Sequence, residues 1–173
     1  MNNKNEIKLY NMMLPIWLLW ISPVTWLFII PLTLITDSAV ILIALKFLKQ
    51  NEIKQKYKEI ILKVWLFGFV ADIPGLFLMI ASQFFPYSQE GFLHWWHMNM
   101  TNAVAFNPYE NILSFLYVII ATFITFVLIY FLNLKLSLKG MDMDDKTKKR
   151  LALILAIFTT PWLFLFPSII LYT

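Results

Sequence analysis

Five apolar runs dominate the chain, separated by shorter polar stretches. A helix crossing the roughly 30 Å hydrocarbon core of a bilayer takes about 20 predominantly apolar residues. The first run covers 10–30. The stretch 31–36, opened by Pro31, reads as a tight turn, and a second run follows over 37–48. That second run is short, so it must tilt, thin the bilayer or be flanked by snorkelling Lys46 and Lys49. One continuous helix over 14–48 is the alternative. It would be about 50 Å long, more than a crossing requires, so a hairpin is the preferred reading. The third span is 60–85 and the fourth 108–138. Asn107 suits an N-cap, Pro108 the first helical position, Glu110 the site three residues after the cap, and Gly140 the stop. The fifth span is 151–172, capped by Asp144 or Asp145. The pattern predicts an all-α polytopic membrane protein, one membrane domain over 1–173 built as a bundle of about five transmembrane helices.

Charge supplies the orientation. Lys4 and Lys8 precede the first span. Lys46, Lys49, Lys54, Lys56, Lys58 and Lys63 lie around the polar segment 49–59. Lys135, Lys139, Lys146, Lys148, Lys149 and Arg150 lie around 139–150. Neither the turn at 31–36 nor the long loop at 86–107 holds a basic residue. Five crossings gather all fourteen lysines and arginines on one side, which the positive-inside rule makes cytoplasmic. The expected topology is N-in and C-out in a bacterial inner membrane, with 49–59 and 139–150 inside and 86–107 outside. The first span reads as an uncleaved signal anchor, because its apolar stretch exceeds a signal peptide's h-region and no A-x-A site follows.

Between spans, Ile53, Tyr57, Ile60 and Ile61 form an amphipathic stripe. The favoured reading of this segment is a solvated helical linker; a basic surface for anionic lipid is the other. Met141-Asp142-Met143-Asp144-Asp145 lacks the glycine and glutamate of a calcium loop, and helix capping accounts for its acids. The outer loop carries His94-Trp95-Trp96-His97-Met98-Asn99-Met100. Imidazoles and thioethers are ligands that a soft metal such as copper accepts without cysteine, so His94, His97, Met98, Met100 and Glu90 are a candidate metal set. The competing reading is an aromatic, re-entrant or interfacial loop packed on the outer mouth of the bundle. No cofactor is otherwise predicted.

Two carboxylates fall inside spans. A carboxylate near a helix centre costs roughly 2.5–3.5 kcal/mol on insertion scales. Asp72 lies near mid-membrane, is followed by Pro74 and Gly75, and has no basic residue expected at its level. It therefore requires a proton, hydrogen bonds to Thr or Asn of neighbouring helices, or a water-filled cavity. Asp37 reads first as an N-cap beside Ser38, and otherwise as a second carboxylate at the mouth of a pathway. Pro23, Pro74 and Pro161 predict helix breaks at similar depth. Thr159 and Thr160, with Thr122 and Thr125 of the fourth span, could re-satisfy freed carbonyls. Asp72, Asp37, Thr159, Thr160, Thr122 and Thr125 form the candidate intramembrane polar site.

Composition narrows the function classes. The chain is 60% hydrophobic and 14% charged, with no cysteine and only four glycines. Thiolate metal sites, disulfides and cysteine nucleophiles are excluded, and no nucleotide-cradling glycine motif occurs. A net charge of +4 in so apolar a chain points to a lipid surface rather than nucleic acid. The expected partners are the bilayer and further membrane subunits, either copies of the same chain or others. The first functional expectation is a small non-enzymatic membrane module, a homo-oligomer or a subunit of a complex. A proton- or cation-coupled transporter or channel using an intramembrane Asp is the second, and a lipid-directed membrane enzyme the third.

Overall fold

The computed structural model describes residues 15–20, 22–86 and 88–172. Helices and helical turns make up its regular structure, with no strand among the described residues. Three helices are long and apolar enough to cross a membrane: α1 (Pro23–Phe47), α2 (Ile53–Ala81) and Ile112–Ser137. The last consists of α5 (Ile112–Leu132) followed by a π-turn, Asn133–Ser137. Two short helices, α3 (Gly91–Trp96) and α4 (Asn102–Phe106), lie between α2 and α5, and α6 (Asp145–Thr159) follows the π-turn.

The hairpin expected over 10–48 is corrected: α1 runs without interruption through Pro31 and the supposed turn at 31–36. A proline inside a spanning helix is tolerated because hydroxyls and tertiary packing replace the missing hydrogen bond. Two hydroxyls in the following turn bond to their own helix: Thr33 Oγ1 donates to the carbonyl of Ile30 and Thr36 Oγ1 to that of Leu32, at 3.0 and 2.9 Å, although neither reaches the Leu27 carbonyl, which the proline leaves without its usual donor. Pro23 does not break a helix either. It occupies the first turn of α1 after Ser22, where a missing N–H costs nothing. Pro74 lies within an unbroken α2. Of the three expected breaks, Pro161 alone ends its helix: α6 stops at Thr159, and short 3-10 turns at Trp162–Leu165 and Ser168–Tyr172 complete the chain described. Thr160 adopts an extended ψ of 139°, the conformation a following proline imposes. In place of the expected fifth span there is a 15-residue α-helix followed by an arm of two short 3-10 turns.

Other boundaries shift for local reasons. α2 absorbs the amphipathic segment: Ile60 and Ile61 are buried, with Ile53 and Tyr57 packed beside them. Asn107 opens a 3-10 turn, Pro108–Glu110, through its side-chain oxygen. The cap of α5 is Asn111, whose Oδ1 accepts from the amides of Leu113 and Ser114 at 3.0 and 2.9 Å. Asp144 caps α6 by accepting from the Thr147 amide at 2.9 Å, as expected.

The core is layered along the helix axes. At one end Ile41, Leu45, Ile60, Val64, Leu138, Leu151 and Leu155 pack together. Ala71, Ile129 and Ala156 form a middle layer. At the other end Trp17, Met79, Met100, Val104, Val118 and Phe164 meet. The first layer joins the α1–α2 and α5–α6 connections, so the twelve basic residues from Lys46 to Arg150 gather at one end of the bundle. Trp17 sits at the opposite end, and the Ile16 amide donates to Ser168 Oγ there. One long helix, α1, thus separates Pro15–Trp20 from the first lysine-rich connection. Lys4, Lys8 and the start of the supposed signal anchor lie outside the described residues.

Candidate functional site

Helical spacing on α1 and α2 builds two walls of the site, and the end of α6 and two 3-10 turns complete it. On α1, Thr33, Thr36 and Asp37 occupy i, i+3 and i+4, one face of the helix. On α2, Trp65, Gly68, Phe69 and Asp72 follow at i, i+3, i+4 and i+7, again one face. These two stripes, with Thr159, Thr160 and Trp162 from the end of α6 and Tyr109 from the 3-10 turn, line one partly open cavity of about 650 Å³. Its depth follows from chain geometry. Asp37 lies nine residues before Lys46, Asp72 nine after Lys63, and Thr159 nine after Arg150. At 1.5 Å per residue, each is about 13 Å along its own helix from a basic residue of the lysine-rich end. The cavity runs from that level toward the opposite end, where Tyr109 and Phe166 line it.

Four of the six residues expected at an intramembrane polar site therefore converge: Asp37, Asp72, Thr159 and Thr160. Asp37 is not a cap. It is buried in the interior of α1, and its neighbour Ser38 is engaged instead with the Leu34 carbonyl and the Tyr57 hydroxyl, at 2.6 and 2.9 Å. Asp37 of α1 and Asp72 of α2 line the same cavity. The Oδ1 of Asp72 is buried and has no hydrogen-bond partner among the described residues. Thr122 and Thr125 do not line the cavity. They are buried in α5, donating to the carbonyls of Val118 and Ala121 at 2.8 and 3.2 Å. Thr125 instead faces Gly75 at the closest approach of α2 and α5.

The hydroxyls have a common polarity. Thr33, Thr36, Thr159 and Thr160 all donate to carbonyls of their own helices. Their remaining capacity is as acceptors. Thr33 already spends part of that capacity on the Trp65 indole N–H at 3.1 Å, a bond that ties α2 to α1 across the cavity wall. With two carboxylates and four committed hydroxyls, the polar lining presents oxygen lone pairs. No lysine, arginine or histidine is among the lining residues described.

The outer-loop residues are dispersed. Segment 91–106 is helical and folds onto the bundle end, as the interfacial-loop reading anticipated. Trp96 Nε1 and Thr101 Oγ1 both donate to the Ser82 carbonyl, at 3.0 and 3.2 Å. Met100 is buried in the apolar layer beside Met79, whereas Met98 is exposed. His94 Nδ1 lies 3.2 Å from the Ser88 carbonyl, and Glu90 is exposed. Among the described residues no three His, Cys, Asp or Glu side chains gather as a metal-binding group.

Sequence reasoning missed Thr33, Thr36, Trp65 and Tyr109. The heptad-like stripe from Trp65 to Asp72 was available as a signal, but Thr33 and Thr36 were assigned to a turn. No family model, curated protein or solved structure matches this chain. The functional reading therefore rests on the cavity.

Proposed function

We propose that this chain is a multi-pass protein of the bacterial cytoplasmic membrane whose Asp37–Asp72 cavity takes up a proton or a cation, as in a proton- or cation-coupled transporter or channel. The observation that carries this reading is the pairing: two carboxylates on different helices line one cavity at mid-helix depth, with no basic residue among the lining residues described. Each carboxylate at such depth is expensive, and acids placed there mark ion pathways and proton relays more often than scaffolding. A cation or proton supplies the positive charge that the lining lacks. The threonine oxygens and the break in α-helix at Thr160–Pro161 suit the same role, because interrupted α-helix at membrane depth belongs where it lines a cavity. The lysine-rich end faces the cytoplasm in this reading.

The test is flux. Purified protein in vesicles enclosing a proton-sensitive dye should release protons when a cation gradient is imposed. Asp72→Asn and Asp37→Asn should each lower the rate at least tenfold. An unchanged rate in Asp72→Asn would remove the cavity from the mechanism.

A second reading, a non-enzymatic module acting as a homo-oligomer or complex subunit, is favoured by the exposed apolar face of α1, which includes Val24, Leu27, Phe28, Ile43 and Phe47. Light scattering of the detergent-solubilised protein, with subtraction of the bound detergent, separates a monomer from an assembly. Lipid-directed catalysis gains no support, since neither His94 nor His97 lines the cavity.

A further inference from the structure

We infer that the occupant of the Asp37–Asp72 cavity is a hydrophobic organic cation, an ammonium or phosphonium bearing alkyl or aromatic groups, rather than a bare inorganic ion. This inference rests on the cation-binding reading above and assigns its ligand class. Size is the first argument. About 650 Å³ lies inside the 300–1,000 Å³ range of sites for small organic molecules. A hard metal ion needs a tight shell of roughly six to eight oxygens, and a space so large does not supply one.

The walls are the second argument. Trp65, Phe69, Tyr109 and Trp162 line the same cavity as the two carboxylates. Aromatic faces attract cations through the ring quadrupole and offer apolar contact to their substituents. Several of these rings are fixed in place. Trp65 is tied to Thr33 by its indole N–H and packs edge-to-face on Phe69 at 5.2 Å. The Trp162 indole N–H donates to the Ile157 carbonyl at 2.8 Å. A ligand entering this site meets Trp65 and Phe69 already held in place, with the exposed Tyr109 and Trp162 at its rim, and rings held in advance need little ordering on binding.

The third argument is a carboxyl oxygen without a partner. Asp72 Oδ1 is buried without a partner among the described residues, and a group left unsatisfied in this way calls for an explanation such as a missing ion. An organic cation satisfies both features at once, since it places positive charge near the carboxylates and covers the rings with hydrocarbon. Gly68 keeps the space open: a Cβ built there meets nothing within 4 Å.

Binding of tetraphenylphosphonium to the purified protein in detergent, read by tryptophan fluorescence and by equilibrium dialysis, tests the assignment. Tetraphenylborate, of the same shape and opposite charge, reports partition into the micelle. The expected result is saturable binding of the phosphonium only. Asp72→Asn and Asp37→Asn should each weaken it at least tenfold. Trp162→Ala should weaken it three- to thirtyfold, while Trp162→Phe, which keeps an aromatic face, should stay within threefold. Gly68→Leu, placed in open space, should block the phosphonium without loss of folded protein. Equal uptake of phosphonium and borate, indifferent to the aspartates, overturns the inference. Aspartate-dependent binding of sodium, potassium or protons without phosphonium also overturns it, yet leaves the cation-site reading standing. Absence of any aspartate-dependent binding overturns both.

Discussion

The two glycines of α2 act in opposite ways. Gly75 is the point of closest approach to α5: a Cβ there would collide with Thr125 Oγ1 and press on Phe164 and the Ala121 carbonyl. Small residues allow such approach between membrane helices. Gly75→Ala should therefore destabilise the bundle by about 1–3 kcal/mol, the usual cost of overpacking. The double variant Gly75→Ala/Thr125→Ala should recover a large part of the loss, because the colliding oxygen is gone and its bond was local to α5. Thermal unfolding in detergent reads both, and an additive double variant would show that the contact is not the cause. Gly68 faces open space on the same helix. Gly68→Ala should be tolerated and should stabilise α2 by about 0.5–1 kcal/mol through helix propensity alone. Asp37 and Asp72 were both visible as residues in the chain. That Asp37 lines a cavity rather than caps a helix was not, because a single residue cannot report whether the six before it turn or continue.

Prolines and caps decide the elements. Pro31 and Pro161 carry the same local instruction, yet α1 continues and α6 stops. Pro31 lies inside a long apolar helix with Thr33 and Thr36 bonded to its own carbonyls, whereas Pro161 follows two threonines and is itself followed by Pro167. Pro161→Ala should let α6 extend past Thr160 and draw the aromatic arm away from the cavity. Circular dichroism should gain helix, and cation-driven flux should fall, while unchanged helix content would show that the arm is held by its own packing. Asp144 offers a pH-dependent counterpart. Its hydrogen bonds to Thr147 hold its carboxyl below the ordinary aspartate range. A depressed folded value means that the cap's contribution is fully present above the ordinary range and is lost as pH falls through the folded value. Unfolding temperature should drop over that acid window in the native chain and less so in Asp144→Asn, which caps without titrating. Equal drops would assign the acid sensitivity elsewhere.

At the scale of the molecule, the connections divide between the two ends of the bundle. The connections 48–52 and 138–144 belong to one end, and 82–90 to the other. The chain has no cysteine, so single replacements report without background. Gln50→Cys and Lys139→Cys should react with a membrane-impermeant maleimide from the same side of the membrane, and Glu90→Cys from the opposite side. Shared reactivity of all three would overturn the layered bundle. Isoleucine, leucine and phenylalanine on the outward surfaces of α1, α2 and α5 are expected to face lipid, which is why the core is thin and its layers small.

Hydropathy and charge alone determined that the protein is helical, that it has helices long and apolar enough to cross a membrane, and that most of its lysines share one end. Those follow from sums over many residues, and no neighbouring helix has to be known for them. The tertiary structure decided what depended on pairs: that residues 31–36 are helix, that Thr122 and Thr125 serve packing, and that Asp37, Asp72, Thr159 and Thr160 meet around an aromatic-walled cavity. Residues from helices far apart in sequence come to one place only through the rotation and register of each helix against the next. Those are set by side-chain packing, as at Gly75 against Thr125, which a one-dimensional pattern does not contain.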